Sequence, residues 1–151
     1  VLSYVMSFLM VGIFWVNHHH LLHTLHRVSG KILWLNMHAL FWLSLLPFST
    51  AYMGTFALQP LCVALYGMVL FLCGMSFELL RRAIAQQHVN DPILSALHER
   101  VGTRNVLVTA LHLMSAPLAY ISPWISLLVF LTVPAIYFMP GPTIEKLSHG
   151  G

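Results

Sequence analysis

Residues 61–82 read LCVALYGMVLFLCGMSFELLRR, an apolar run that stops at the paired cations Arg81 and Arg82. A helix rises ~1.5 Å per residue, so about 20 such residues cross the ~30 Å of hydrocarbon in a bilayer. The same alternation extends in both directions along the chain. All seven Lys and Arg fall in three stretches: Arg27 and Lys31, then Arg81, Arg82, Arg100 and Arg104, and finally Lys146 in the tail. Counting the apolar runs between them puts the three stretches on one membrane face, as the bias of cationic loops toward the cytoplasm predicts.

Composition excludes an ordinary soluble domain. The 151 residues are 58% hydrophobic and 7% charged, where a soluble domain carries about 25% charged residues. The net charge of +3 is placed to meet anionic lipid headgroups, not nucleic acid. The expected fold class is therefore an all-α integral membrane protein with a single transmembrane helical domain over 1–151. Five spans are predicted, at about 1–25, 32–54, 61–80, 106–121 and 124–139. The polar stretch 86–104 is expected to be a cytoplasmic amphipathic linker lying on the membrane, and 140–151 a polar tail.

The breaks have local causes. Ser29 and Gly30 end the first span, and Ser122 with Pro123 makes a tight outer hairpin between the last two. Pro47, inside Leu45-Leu46-Pro47-Phe48, is expected to kink the second span, because proline removes a helical donor and crowds the preceding turn. Five crossings with a cytoplasmic C-terminus place Val1 outside, so a cytoplasmic N-terminus predicts one further helix upstream. Cys62 and Cys73 lie about 16 Å apart along one helix, too far to bridge, and read as small buried apolar side chains.

Polar groups inside the spans are the candidates for chemistry, since each is costly in hydrocarbon. They cluster on the first two spans: Asn17, His18, His19, His20, His23 and His26, then Asn36 and His38. His19 and His23, four residues apart, share a helix face and could converge on a transition metal. No Asp or Glu occurs before Glu78, however, and no second histidine cluster completes a coordination shell. His88, His98 and His112 are isolated, so the several histidine boxes of a membrane di-iron oxygenase are not assembled. The four acids Glu78, Asp91, Glu99 and Glu145 lie at the inner surface or in polar connections. A nucleophile with its base and orienting acid therefore finds no support, and neither enzyme nor cofactor is expected.

Three quoted stretches carry a resemblance: SFLMVGIFWVNHH at 7–19, LWLN at 33–36 and LLPFST at 45–50. They resemble the bacterial branch of the transmembrane protein 175 family of potassium channels, over about the first third of the chain. The resemblance implies a six-helix subunit with both termini cytoplasmic, of which this chain carries helices two to six. It also implies a homotetramer around a central pore, without a re-entrant selectivity loop. The implied activity is passive, leak-type potassium flux across a bacterial plasma membrane, with potassium ions and lipid as partners and no cofactor.

In such channels the first helix lines the pore and carries an Arg-x-x-x-Phe-Ser-Asp motif that packs on polar residues of helices two and three. Trp15, His18 and Asn36 match those partner positions, with His19 the alternative to His18. The Phe-Ser-Asp motif itself does not occur in this chain. Pro47 and Phe48 match a helix kink with packing. Two rival readings stand beside the channel: a histidine-based metal transporter or metalloenzyme, and a non-conducting membrane assembly subunit.

Overall fold

The computed structural model describes residues 2–56, 59–88 and 90–138. Six α-helices and one 3-10 turn follow in chain order, with no strand among the described residues. They are α1 (Leu2–His23), α2 (Gly30–Ser44), α3 (Leu46–Thr55), α4 (Pro60–Ala85), the turn Gln86–His88, α5 (Pro92–Ile121) and α6 (Pro123–Phe138). The expected all-α class is what the structure shows. The tail 140–151 lies outside the described residues.

Two boundaries differ from the sequence expectation, each for a visible reason. The second span, expected as one kinked helix over 32–54, is divided at Leu45 into α2 and α3, with Pro47 in the first turn of α3. A proline there has no N–H to return to the Leu43 carbonyl, so the ladder restarts one turn on. The stretch divided beforehand into a linker at 86–104 and a span at 106–121 is one rod from Pro92 onward. Asp91 starts it, its carboxylate accepting from the backbone N–H groups of Ile93 and Leu94. Gly102 does not break it, because the Arg81 side chain fills the space beside that glycine. At 30 residues, α5 reaches about 45 Å, more than the hydrocarbon core requires.

Helix α4 is the axis of the bundle. Its Val63, Ala64, Tyr66, Leu70 and Cys73 form a core with Met10 of α1, Leu46 of α3, Ala119 of α5 and Phe130 of α6. Toward the C-terminal end of α4, Phe77, Leu80, Ala83 and Ile84 pack on Leu21 and Ile32, which anchors the α1–α2 turn. Among the described residues α4 packs most extensively on α5, and small residues allow the approach: a Cβ on Gly67 would collide with Ser115 Oγ, and one on Gly74 with Thr109 Oγ1. Both cysteines are free and buried.

Phe8, Leu33, Trp34, Phe41, Phe48 and Leu128 point outward. So broad an apolar exterior suits lipid or a neighbouring subunit, not water. Among the described residues two helical segments are long and apolar enough to cross a membrane, Gly30–Thr55 (α2 with α3) and Pro60–His88. The histidines in the C-terminal half of α1 and the charges Glu99, Arg100 and Arg104 in the first half of α5 lower those helices' hydropathy, while α6, at 16 residues, is shorter.

Candidate functional site

The polar cluster of the first two spans divides by helix face. His18 turns toward α2, where its Nε2–H donates to Asn36 Oδ1 at 2.6 Å. A gap of about 10 Å³ bounded by Phe14, His18, Ala39 and Phe77 lies beside this bond. The pair is thus a polar strut between two helices that otherwise touch little along their length. An interhelical bond of this kind in a membrane is worth about 0.6 kcal/mol on average.

His19 sits about 100° further round α1 and takes no part in that bond. Its imidazole stacks on Trp15, with ring centroids 5.2 Å apart and planes inclined by 11°. On its other side His23 Nε2 lies 3.0 Å from His19 Nε2. Trp15, His19 and His23 therefore make one exposed stripe at i, i+4, i+8, one residue out of phase with the His18–Asn36 strut. Of the two imidazoles left open as a match to the family's partner position, His18 is the one that reaches Asn36. Pro47 and Phe48 are remote from both groups: both are exposed, and Phe48 stacks on Tyr52 along α3.

Three buried polar groupings were not expected. Glu78, read from the sequence as part of a charged surface boundary, is 7% exposed, as is Arg81. Arg81 grips the Glu78 carboxylate with Nε and Nη2 at 2.7 and 2.6 Å, and its Nη1 donates to the His98 carbonyl at 2.8 Å. Arg82 adds a further bond to Glu78 Oε1 at 2.7 Å. The i, i+3 and i, i+4 spacings were the available signal for this pairing.

Next to it, the buried His88 and His98 stack, with planes inclined by 18°, and the exposed His26 of the α1–α2 turn lies tilted at 56° against His88. His88 Nε2–H donates to the Thr24 carbonyl at 2.6 Å. Burial, with His88 and Arg81 nearby, holds the His98 imidazole below its ordinary pKa. Further along the bundle, His112 is 1% exposed and lines a cavity of about 20 Å³ with Asn17, Asn105 and Thr109. Nothing in the local sequence marked that convergence, since its members come from α1 and α5.

Among the described residues no three His, Cys, Asp or Glu side chains converge to hold a metal ion. The metal-transporter and metalloenzyme reading is not favoured.

The profile of the endosomal/lysosomal potassium channel TMEM175 matches residues 1–47, the stretch that carries the His18–Asn36 strut. A potassium channel of a Chryseobacterium species is 35% identical over 148 residues, covering 96% of this chain and 75% of the relative. The chain belongs to the TMEM175 family. A second relative, a potassium channel of Streptomyces collinus, is 29% identical over 99 residues, covering 62% of this chain and 48% of its own length. No solved structure matches. Membership of the TMEM175 family makes this an integral membrane protein, which accounts for the apolar exterior of the bundle.

Proposed function

We propose that this chain is a subunit of a potassium-permeable, leak-type channel that carries passive potassium flux across a bacterial plasma membrane. The observation that carries the reading is the 35% identity to a potassium channel over 96% of this chain. In this reading α1, α2 with α3, α4, the outer part of α5, and α6 are five crossings, and the C-terminus is cytoplasmic. The placement of Arg27, Lys31, Arg81, Arg82, Arg100 and Arg104 on one face supports that orientation. The assembly is a homotetramer.

The His18–Asn36 strut, flanked by Trp15, is the docking point for the acidic end of the family's pore-lining motif. With the His18 N–H held by Asn36 Oδ1, the Asn36 side-chain NH2 is the donor that the strut offers a carboxylate in this low-dielectric setting. The break at Leu45–Pro47 lets α3 tilt from α2 and pack Leu46 into the core, a fixed bend in place of a moving hinge. Selectivity and gating then follow from an apolar constriction that opens by wetting, with polar atoms nearby setting ion preference.

The test is flux. Full-length protein reconstituted into potassium-loaded liposomes is expected to release potassium faster than protein-free liposomes, with the rate scaling with protein. No potassium-dependent flux at any protein-to-lipid ratio would overturn the proposal.

A further inference from the structure

The His19–His23 pair has no role in the proposed docking point, and its geometry is specific. We propose that His19 and His23 form a binding site for one borderline first-row divalent cation, of the class Ni²⁺, Cu²⁺ or Zn²⁺, on the exposed face of α1. The two Nε2 atoms are 3.0 Å apart. Two imidazole nitrogens each ~2.0–2.1 Å from one ion, at an angle between octahedral and tetrahedral, stand about 2.8–3.4 Å from each other. The i, i+4 spacing therefore already brings the two nitrogens to the separation that a shared ion requires.

In the metal-free pair one Nε2–H donates to the other Nε2. On binding, that proton moves to Nδ1 of the same ring, which leaves both Nε2 lone pairs to the ion. Both residues are exposed, and water completes the coordination sphere. Hard cations that prefer oxygen, Mg²⁺ and K⁺ among them, are excluded by the donor set.

Other close aromatic pairs lack the same freedom. His88 Nε2–H is engaged by the Thr24 carbonyl, and His38 Nε2 accepts from the Trp42 indole N–H at 3.0 Å. The ring of Trp15 on His19 does not compete for the lone pair, because it stacks face to face. It also supplies a reporter, since a paramagnetic ion on His19 lies within quenching range of that indole.

The experiment uses tag-free full-length protein in detergent, titrated with NiCl₂ while tryptophan emission and the heat of binding are followed. Saturable binding of one Ni²⁺ per chain with partial quenching is expected, and MgCl₂ produces neither. His19→Ala and His23→Ala each weaken binding by about 10-fold or more, at least the loss that an outer partner of a metal site gives. His20→Ala leaves binding unchanged. Trp15→Phe keeps the heat and loses the quenching, which places the ion beside residue 15. Binding undiminished in His19→Ala and His23→Ala, quenching that persists in Trp15→Phe, or no saturable heat would each overturn the proposal. Loss of potassium flux does not enter this test, so failure of the channel reading and failure of the metal site are separable.

Discussion

The guanidinium of Arg81 occupies the space that a side chain on residue 102 would need, its Nη2 2.5 Å from where a Cβ on Gly102 would stand. One residue type thus answers to the other across the α4–α5 interface. The glycine allows the cation in, and the cation, holding Glu78 of its own helix and the His98 carbonyl of α5, ties α4 to α5.

Gly102→Val is expected to destabilise the protein by about 1–3 kcal/mol, the cost of overpacking a close interface. Gly102→Ala should fall below it, with Gly30→Ala, beside which nothing lies within 4 Å, as the control for helix propensity. Thermal unfolding in detergent followed by tryptophan emission gives the comparison. Equal melting temperatures for Gly102→Val and the parent protein would show that Arg81 yields its place at no cost.

Breaking the buried pair should be worse than removing it. Arg81→Met leaves Glu78 buried, its remaining ion-pair partner the largely exposed Arg82, and is expected to cost about 3–5 kcal/mol. The double variant Glu78→Gln with Arg81→Met removes the charge from both sides and should recover a large part of that loss. A double-mutant cycle reads the coupling. Additive losses would mean that the two side chains act independently.

The strut between α1 and α2 should be small in stability and larger in function. His18→Phe and Asn36→Leu are each expected to cost about 0.6–1.7 kcal/mol, the range for interhelical hydrogen bonds in membranes. The two losses should be coupled in a cycle, while His19→Phe is uncoupled to Asn36. In liposomes both strut variants should change the potassium flux at unchanged protein incorporation. Coupling of His19 with Asn36 would contradict the face assignment made here.

His98 sets a pH dependence of definite sign. Its folded pKa lies below the ordinary imidazole value, because burial disfavours the charged ring and because His88 and Arg81 add unfavourable charge. The facing groups are His88 with His26 behind it, and on α4 Arg81 with its partner Glu78. The unfolded chain therefore takes up a proton at about pH 6.5 while the folded protein does not. The contribution is fully present above that pH and is lost as the pH falls from about 6.5 toward the lower folded pKa. Melting temperatures at pH 7.5 and 5.5 should show a drop on acidification, and His98→Gln should shrink it. An unchanged drop in His98→Gln would remove His98 from the account.

Much of this architecture was readable residue by residue. Ser29, Pro47, Asp91 and Pro123 act on their own backbone neighbours, through a cap, a missing donor or a fixed φ, so their effects travel with the local sequence. The division into a linker at 86–104 and a span at 106–121 is the instructive failure. Gly102 has a low helix propensity, yet α5 runs through it unbroken with the Arg81 side chain of α4 filling the space beside it.

The sequence alone determined that this is a helical membrane protein of the TMEM175 family, with its cations gathered at one end and its polar candidates on the first two spans. Apolar length, breaker residues and the quoted motifs are properties of short windows, and each can be judged without a neighbour. Tertiary structure alone decided that His18 and not His19 meets Asn36, that Glu78 and Arg81 are buried, and that Asn17 and His112 border one cavity. Each of those outcomes depends on the rotation of one helix about its axis relative to another. Packing sets that angle, and a one-residue step moves a side chain by 100°.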